Sequence, residues 1–242
     1  MNVIKLVGFV SLFSVPFLTV NLWAENLKND SWLYTQTSES QKSMTADKGL
    51  QILKEGNARF VNGTIKNRNF LNQVKLTHTK GQYPFAIILS CMDSRGSSEL
   101  IFDQGIGDIF SIRVAGNVLD ADQLGGLEFA TKAVGSHLIV VMGHTSCGAV
   151  AGTCSGVKLG NLTQLLQKIQ PALDVVKQTK KNQRLNCHDN KIIDEIAKQN
   201  VLMIVQKVKK ESKVISDLIA TGDVRVVGAM HNLQTGEVAF FE

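Results

Sequence analysis

Two short segments carry the residues best suited to chemistry. Cys91-Met92-Asp93-Ser94-Arg95 follows one apolar run, and His144-Thr145-Ser146-Cys147 follows another. Cys91, His144 and Cys147 make a soft set of three ligands suited to zinc. The H-x-x-C spacing lets His144 and Cys147 share one ion as the chain turns into a helix, whose amino terminus favours a thiolate. Three protein ligands are one short of a closed tetrahedron, the mark of a catalytic rather than a structural zinc. Asp93 or a water takes the fourth position. Arg95, two residues on, can hold the Asp93 carboxylate in a bidentate pair. Held off the metal, Asp93 instead accepts a hydrogen bond from a water there and orients its oxygen. Spacing alone leaves plainer readings open. A Cys at a strand end is often a small buried hydrophobe, a lone His is often a core residue, and Asp-x-Arg is often a surface ion pair. In an exported protein Cys91 and Cys147 could also form a disulfide.

Elements of an α/β domain are needed to bring these segments together. Phe85–Leu89, Ile109–Val114 and Leu138–Met142 are apolar runs of strand length. Their continuous rather than alternating apolarity predicts strands buried on both faces of a parallel sheet. Helices are predicted from a Thr45 cap to Val61, and over 124–134, 162–178, 189–209 and 211–220. Val224–Met230 and Val238–Phe241, around Gln234-Thr235-Gly236, read as a strand and a short hairpin. In open parallel sheets, sites gather beyond the carboxyl ends of strands, where both chemical segments fall. With no repeat and no dividing linker, residues 45–242 read as one α/β domain, a mostly parallel central sheet flanked by helices, preceded by an N-terminal arm with helical character.

The amino terminus is different. Lys5 is the only charge before Glu25, and an apolar run from Leu6 to Val20 leads to a small residue, Ala24. This is the pattern of a signal peptide over 1–24, followed by a polar, irregular arm over 25–44. The run is too short for a confident membrane span, and an uncleaved anchor is the alternative. The expectation is export, in a bacterium to the periplasm, with no stable membrane span after cleavage.

The 242 residues, 44% hydrophobic and 19% charged, exclude a disordered chain. Four cysteines are too few for a disulfide-stapled miniprotein. A net charge of +5 is mild, and eleven Phe beside two Trp and two Tyr leave little for stacking bases. No nucleic-acid partner is expected. The basic clusters Lys177, Lys180, Lys181, Arg184 and Lys207, Lys209, Lys210, Lys213 read as solvated faces.

Cys91-Met92-Asp93-Ser94-Arg95, Arg113-Val114-Ala115-Gly116-Asn117 and Gly143-His144-Thr145-Ser146-Cys147-Gly148-Ala149 together resemble the β-class carbonic anhydrases. That family's pattern is Cys-x-Asp-x-Arg followed by His-x-x-Cys, and here 53 residues separate Cys91 from His144. The resemblance runs from the helix near residue 45 to the carboxyl terminus. It implies a homodimer or a tetramer of dimers, one Zn2+ per chain held by Cys91, His144 and Cys147, and Asp93 with Arg95 as an orienting dyad. The implied reaction is reversible hydration of CO2 to bicarbonate and a proton by zinc-bound hydroxide. The resemblance further implies a substrate pocket containing Gln82, Phe110, Ala115, Phe129 and the Gly148 N–H. Phe129 stands where the family pocket has a Tyr. Gly96-Ser97-Ser98 replaces a frequent Val-Pro, and Ile88 occupies the position of the Trp found in the allosteric subgroup. These departures favour the open, water-bound site over one closed by Asp93 as ligand. Hydrolysis of carbonyl sulfide or carbon disulfide on the same scaffold is an alternative. His78, His137, His188 and His231 are proton-shuttle candidates by type only.

Cys154 and Cys187 remain. Cys154 follows Cys147 by seven residues and can share a helix face with it as core, while Cys187 sits in a polar loop. Export and elimination also allow a disulfide between the two.

Overall fold

The computed structural model describes residues 34–181 and 184–241. The expected signal peptide over 1–24 and residues 25–33 of the arm lie outside the described residues. Short helix α1 (Ser38–Lys42) opens the described chain, capped by Thr37 in a reciprocal capping box with Ser40. The arm is therefore not irregular throughout. Gln41 is buried and donates Nε2 to the Pro84 carbonyl at 2.8 Å, docking α1 on the body. Thr45 caps α2 (Ala46–Val61) as predicted, its hydroxyl accepting from the Lys48 N–H.

The next helix, α3 (Phe70–Lys80), carries Asn69 as its cap and ends at Gly81. No helix is expected there from the sequence. Of its four apolar residues Phe70, Leu71 and Val74 are exposed and Leu76 is half-buried, so they make no core-facing stripe. Then come β1 (Ala86–Ser90), α4 (Ser98–Ile101) and β2 (Ile109–Arg113). A single turn of tight helix over Ala115–Asn117 leads into α5 (Ala121–Glu128), which widens into a π-helical turn over Phe129–Ala133. β3 (Leu138–His144) runs two residues past the predicted run, so His144 belongs to the strand itself. It leads into α6 (Gly148–Cys154). The predicted helix over 162–178 is two, α7 (Gly160–Gln167) and α8 (Gln170–Thr179), broken at Lys168 and Ile169 ahead of Pro171. The chain closes with α9 (Asn190–Glu211), α10 (Lys213–Ala220), β4 (Arg225–His231) and β5 (Val238–Phe241).

The strands form one sheet in the order β2-β1-β3-β4-β5. The first four are parallel, and β5 closes the edge antiparallel to β4. All residues of β1 and β3 are buried, which is why their sequences are apolar without alternation. One face packs Ile88, Val140 and Leu53 with Phe102. The other packs Ile87, Leu89 and Val141 against Val201, Val205 and Ile215. Each such side chain taken fully out of water contributes about 1.5–3 kcal/mol. A third cluster, including Val150, Leu173 and Ile196, lies beyond the carboxyl ends and contains Cys91 and Cys147. From β1 the chain crosses first to β2 on one side and then to β3 on the other. The crevice at the carboxyl ends of β1 and β3 is thus the switch point where open α/β sheets place ligands. No helix among the described residues is long and apolar enough to cross a membrane.

Candidate metal centre and active site

Cys91 follows β1 directly, His144 ends β3, and Cys147 caps α6. Pairing of β1 with β3 in the register Ser90↔Met142 brings the two ends side by side. Among the described residues Cys91, His144 and Cys147 form one cluster whose ligand atoms all lie within 4.8 Å of one another, and all three are buried. Both cysteines are free thiols, so the disulfide reading for this pair falls away. Cys154 and Cys187 are bonded to each other, with Cα atoms 5.6 Å apart.

The histidine is oriented from behind. His144 Nδ1 donates to the Thr145 carbonyl at 2.9 Å, leaving Nε2 buried and without a partner. Thr145 is itself pinned to the end of β4. Its N–H donates to the His231 carbonyl and its hydroxyl accepts the Leu233 N–H, both at 3.0 Å. A ring held by Nδ1 with a bare Nε2 is the usual geometry of a metal-binding imidazole. The thiols fit the same reading. A hydrogen bond shared with Cys147 holds Cys91 down to about 4 despite its burial, helped by His144 and the Gly116 N–H. The same bond, with burial and the Cys91 charge, pushes Cys147 upward. Two buried sulfurs this close oppose each other's ionisation, and a divalent cation between them would favour the ionised form of both. Burial alone would lower the pKa of His144, but the neighbouring Cys91 sulfur, the Thr145 carbonyl and Asp93 outweigh it and the net direction is upward.

Asp93 stands at the mouth of the cluster. Its Oδ2 lies 3.9 Å from His144 Nε2, while Arg95 grips both carboxylate oxygens. Arg95 holds the carboxyl well below the usual range, against a smaller upward push from burial. Arg113 braces the loop from β2, donating Nε to the Cys91 carbonyl at 3.3 Å and Nη2 to the Asp93 carbonyl. Gly116 donates its N–H to Cys91 Sγ at 3.3 Å. Glycine suits the position: φ is +66°, and a Cβ would lie 2.5 Å from Ile169 Cδ1, which would have to move.

A sequence model described as carbonic anhydrase matches residues 86–238. The chain is 37% identical over 187 residues to carbonic anhydrase 2 of Mycobacterium tuberculosis, covering 77% of this chain and 88% of that one. It is 34% identical over 193 residues to the carbonic anhydrase of Mycolicibacterium smegmatis, covering 78% and 89%. Among solved structures, the β-carbonic anhydrase CcaA superposes with a TM-score of 0.64 at 25% identity, covering 80% of this chain and 95% of that one. The chain belongs to the β-class carbonic anhydrases.

Within one chain of this carbonic anhydrase, the residues expected around the substrate separate into two groups. Ala115, beside Gly116, and Gly148, beside Cys147, are at the metal cluster. Gln82, Phe110 and Phe129 are not. Gln82 precedes β1 and Cys91 follows it, so a strand of roughly 16 Å lies between them. Phe110 pairs with Ile87 near the start of β1. Its ring packs against Phe129 at 6.3 Å between centroids, and Phe129 is 58% exposed. Topology thus sets Gln82, Phe110 and Phe129 apart from the metal-ligand cluster of their own chain, while Ala115 and Gly148 adjoin it. The cavity at the cluster, bordered by Asp93, Gly96, His144 and His231, measures about 10 Å3, the room of a single water. His231, considered as a shuttle, is buried with Nε2 unpartnered, and burial first and then His144 hold its pKa down.

The sequence reading passes over Arg113, Thr145, Asp194 and Asn200. Arg113 does lie in the Arg-Val-Ala-Gly-Asn motif, and that was the available signal.

Proposed function

We propose that this carbonic anhydrase interconverts CO2 and bicarbonate at a zinc ion held by Cys91 Sγ, His144 Nε2 and Cys147 Sγ. The observation that carries the reading is Asp93. Its carboxylate is clamped by Arg95 yet faces an imidazole nitrogen that has no other partner. Bound there, zinc supplies the Lewis acidity that makes a water proton labile near neutral pH. Asp93 then accepts the hydrogen bond of the reacting water and aims its lone pair outward. Arg95 keeps Asp93 ionised and fixed while it does so. With both of its oxygens on Arg95, Asp93 is read as an orienting group rather than a fourth ligand. The Gly148 N–H, with open space beside its Cα, is a donor for negative charge developing on a substrate oxygen.

Gln82, Phe110 and Phe129 serve this reaction from a second copy of the chain. Alone, the chain leaves Phe129 exposed, and packing against a second copy would cover it. A solved tetrameric β-carbonic anhydrase of Sordaria macrospora shares the fold, with a TM-score of 0.63. The leader-like residues 1–24 and the Cys154–Cys187 bond both support an exported, periplasmic enzyme, since disulfides persist in oxidising compartments.

Stopped-flow CO2 hydration, with zinc measured on the same sample, tests the proposal on wild type and Asp93→Ala. The expected result is about one zinc per chain and a loss of at least roughly 100-fold in the variant. Stoichiometric zinc with no hydration by wild type between about pH 7 and 9 would overturn it.

A further inference from the structure

Helix α9 reaches both cysteine loops without supplying a ligand. Near its start, Asp194 Oδ1 accepts the Ser146 N–H at 2.6 Å. Near its middle, the buried Asn200 donates Nδ2 to the Gly116 carbonyl at 2.9 Å. Ser146 immediately precedes Cys147, and the Gly116 N–H touches Cys91 Sγ. Each contact is one peptide away from a thiolate.

Both contacts fall where the loop backbone needs help. Ser146 has φ of +53°, a left-handed conformation that residues other than glycine seldom adopt. The Ser146 N–H in that turn donates to Asp194, and the next residue, Cys147, brings its sulfur within 4.8 Å of the His144 and Cys91 ligand atoms. Gly116 is also left-handed. Its N–H is committed to sulfur, so its buried carbonyl needs a donor from elsewhere. In each case α9 supplies the missing partner.

The helix is firmly placed to do this. It buries Ile193, Ile196, Ala197, Val201 and Ile204. Its cap, Asp189, comes two residues after Cys187, which is bonded to Cys154 at the far end of α6. Since α6 begins just after Cys147, the helix that sets the loop is tied covalently to the helix that follows it.

We propose that Asp194 and Asn200 are positioning residues of the metal centre, setting the separation of the Cys147 and Cys91 thiolates through the Ser146 amide and the Gly116 carbonyl. The inference rests on the metal-site reading above and not on the substrate.

The test uses full-length zinc-loaded protein and follows zinc transfer to a chromophoric chelator, with the sulfur-to-cobalt charge-transfer band of Co(II)-substituted protein as a second readout. Asp194→Ala is expected to release zinc 10- to 100-fold faster, the usual range for lost outer-shell contacts, and to shift the cobalt band. Asp194→Asn keeps an acceptor oxygen and should stay close to wild type. Glu195→Ala removes the same charge from the same helix, breaking, among the described residues, the pair with Lys180, and should match wild type. Asn200→Ala should also release zinc faster. If it fails to fold, by circular dichroism, the Asp194 variants decide alone. Wild-type release and spectrum in Asp194→Ala overturn the proposal, as does equally fast release from Glu195→Ala. A wild type that holds zinc tightly but does not hydrate CO2 overturns the proposed function and leaves this test readable.

Discussion

Arg95 binds Asp93 by two parallel side-chain bonds, Nε to Oδ1 at 2.9 Å and Nη2 to Oδ2 at 2.7 Å, and its own N–H adds a third to Oδ1 at 3.0 Å. A lysine keeps the charge but cannot reproduce this fork. Arg95→Lys is therefore expected to lower kcat about 10-fold or more while leaving KM and zinc content near wild type, because positioning is lost and binding is not. The Arg95 side chain is 60% exposed, so its Tm should hardly move. Wild-type kcat in this variant would mean that charge alone suffices at Asp93.

The bare Nε2 of His144 and the two buried thiols are gathered into one cluster by folding. Metal binding then adds directly to folding stability. Chelation should abolish hydration and lower Tm together, and zinc should restore both. Cys91→Ser, His144→Ala and Cys147→Ser should each lose stoichiometric zinc by elemental analysis. Full zinc retention in any one of them would remove that residue from the ligand set.

How far the sequence speaks depends on the range of the contact. β1 and β3 were legible because burial on both faces leaves unbroken apolar runs. β2, at the sheet edge, leaves Ser111 and Arg113 exposed and was legible only from its remaining apolar residues. The Thr45 cap was legible because its partner is three residues away. The metal cluster was legible because three rare residue types met at two strand ends. Helix α3 was hidden by its outward-facing Phe70, Leu71 and Val74, and the break between α7 and α8 by apolar residues continuing through Ile169. Asp194 and Asn200 were hidden for another reason. They act across 48 and 84 residues, and a polar residue on a helix carries no mark of such a partner. Family resemblance could assign Gln82, Phe110 and Phe129 to a pocket, but only topology shows them at the wrong end of their own chain.

That displacement makes Phe129 the residue on which assembly should turn. Burying an exposed aromatic at an interface is worth several kcal/mol at most, and placing a charge there opposes it. Phe129→Glu should shift the protein toward monomer in sedimentation experiments and reduce kcat/KM at least roughly 10-fold, with zinc retained. An oligomer that is unchanged and fully active would place the substrate pocket elsewhere.

The Cys154–Cys187 bond closes a loop of 33 residues, which on chain-entropy grounds stabilises the fold by about 3–4 kcal/mol. For a domain of this size that corresponds to a Tm shift of roughly 10 °C. Cys154→Ser with Cys187→Ser should show that drop and become insensitive to reductant, whereas wild type should reach the same Tm only when reduced. Equal melting of oxidised and reduced wild type would contradict the bond's role.

Acid sensitivity should trace in part to Asp103, buried between Arg59 and Arg68. Burial alone would raise its pKa, but the two guanidinium groups outweigh it and hold the carboxyl below the ordinary value. A folded pKa below the unfolded one, about 3.9, means the folded state binds this proton less readily. The stability Asp103 contributes is therefore complete above about pH 4 and is lost as pH falls through the folded pKa. Asp103→Asn removes the titration and leaves two arginines without their carboxylate. Its Tm should lie several degrees below wild type at neutral pH, and the gap should narrow steadily on acidification below about pH 4. A gap that stays constant down to the acid unfolding limit would mean that Asp103 acts by packing and hydrogen bonding rather than by its charge.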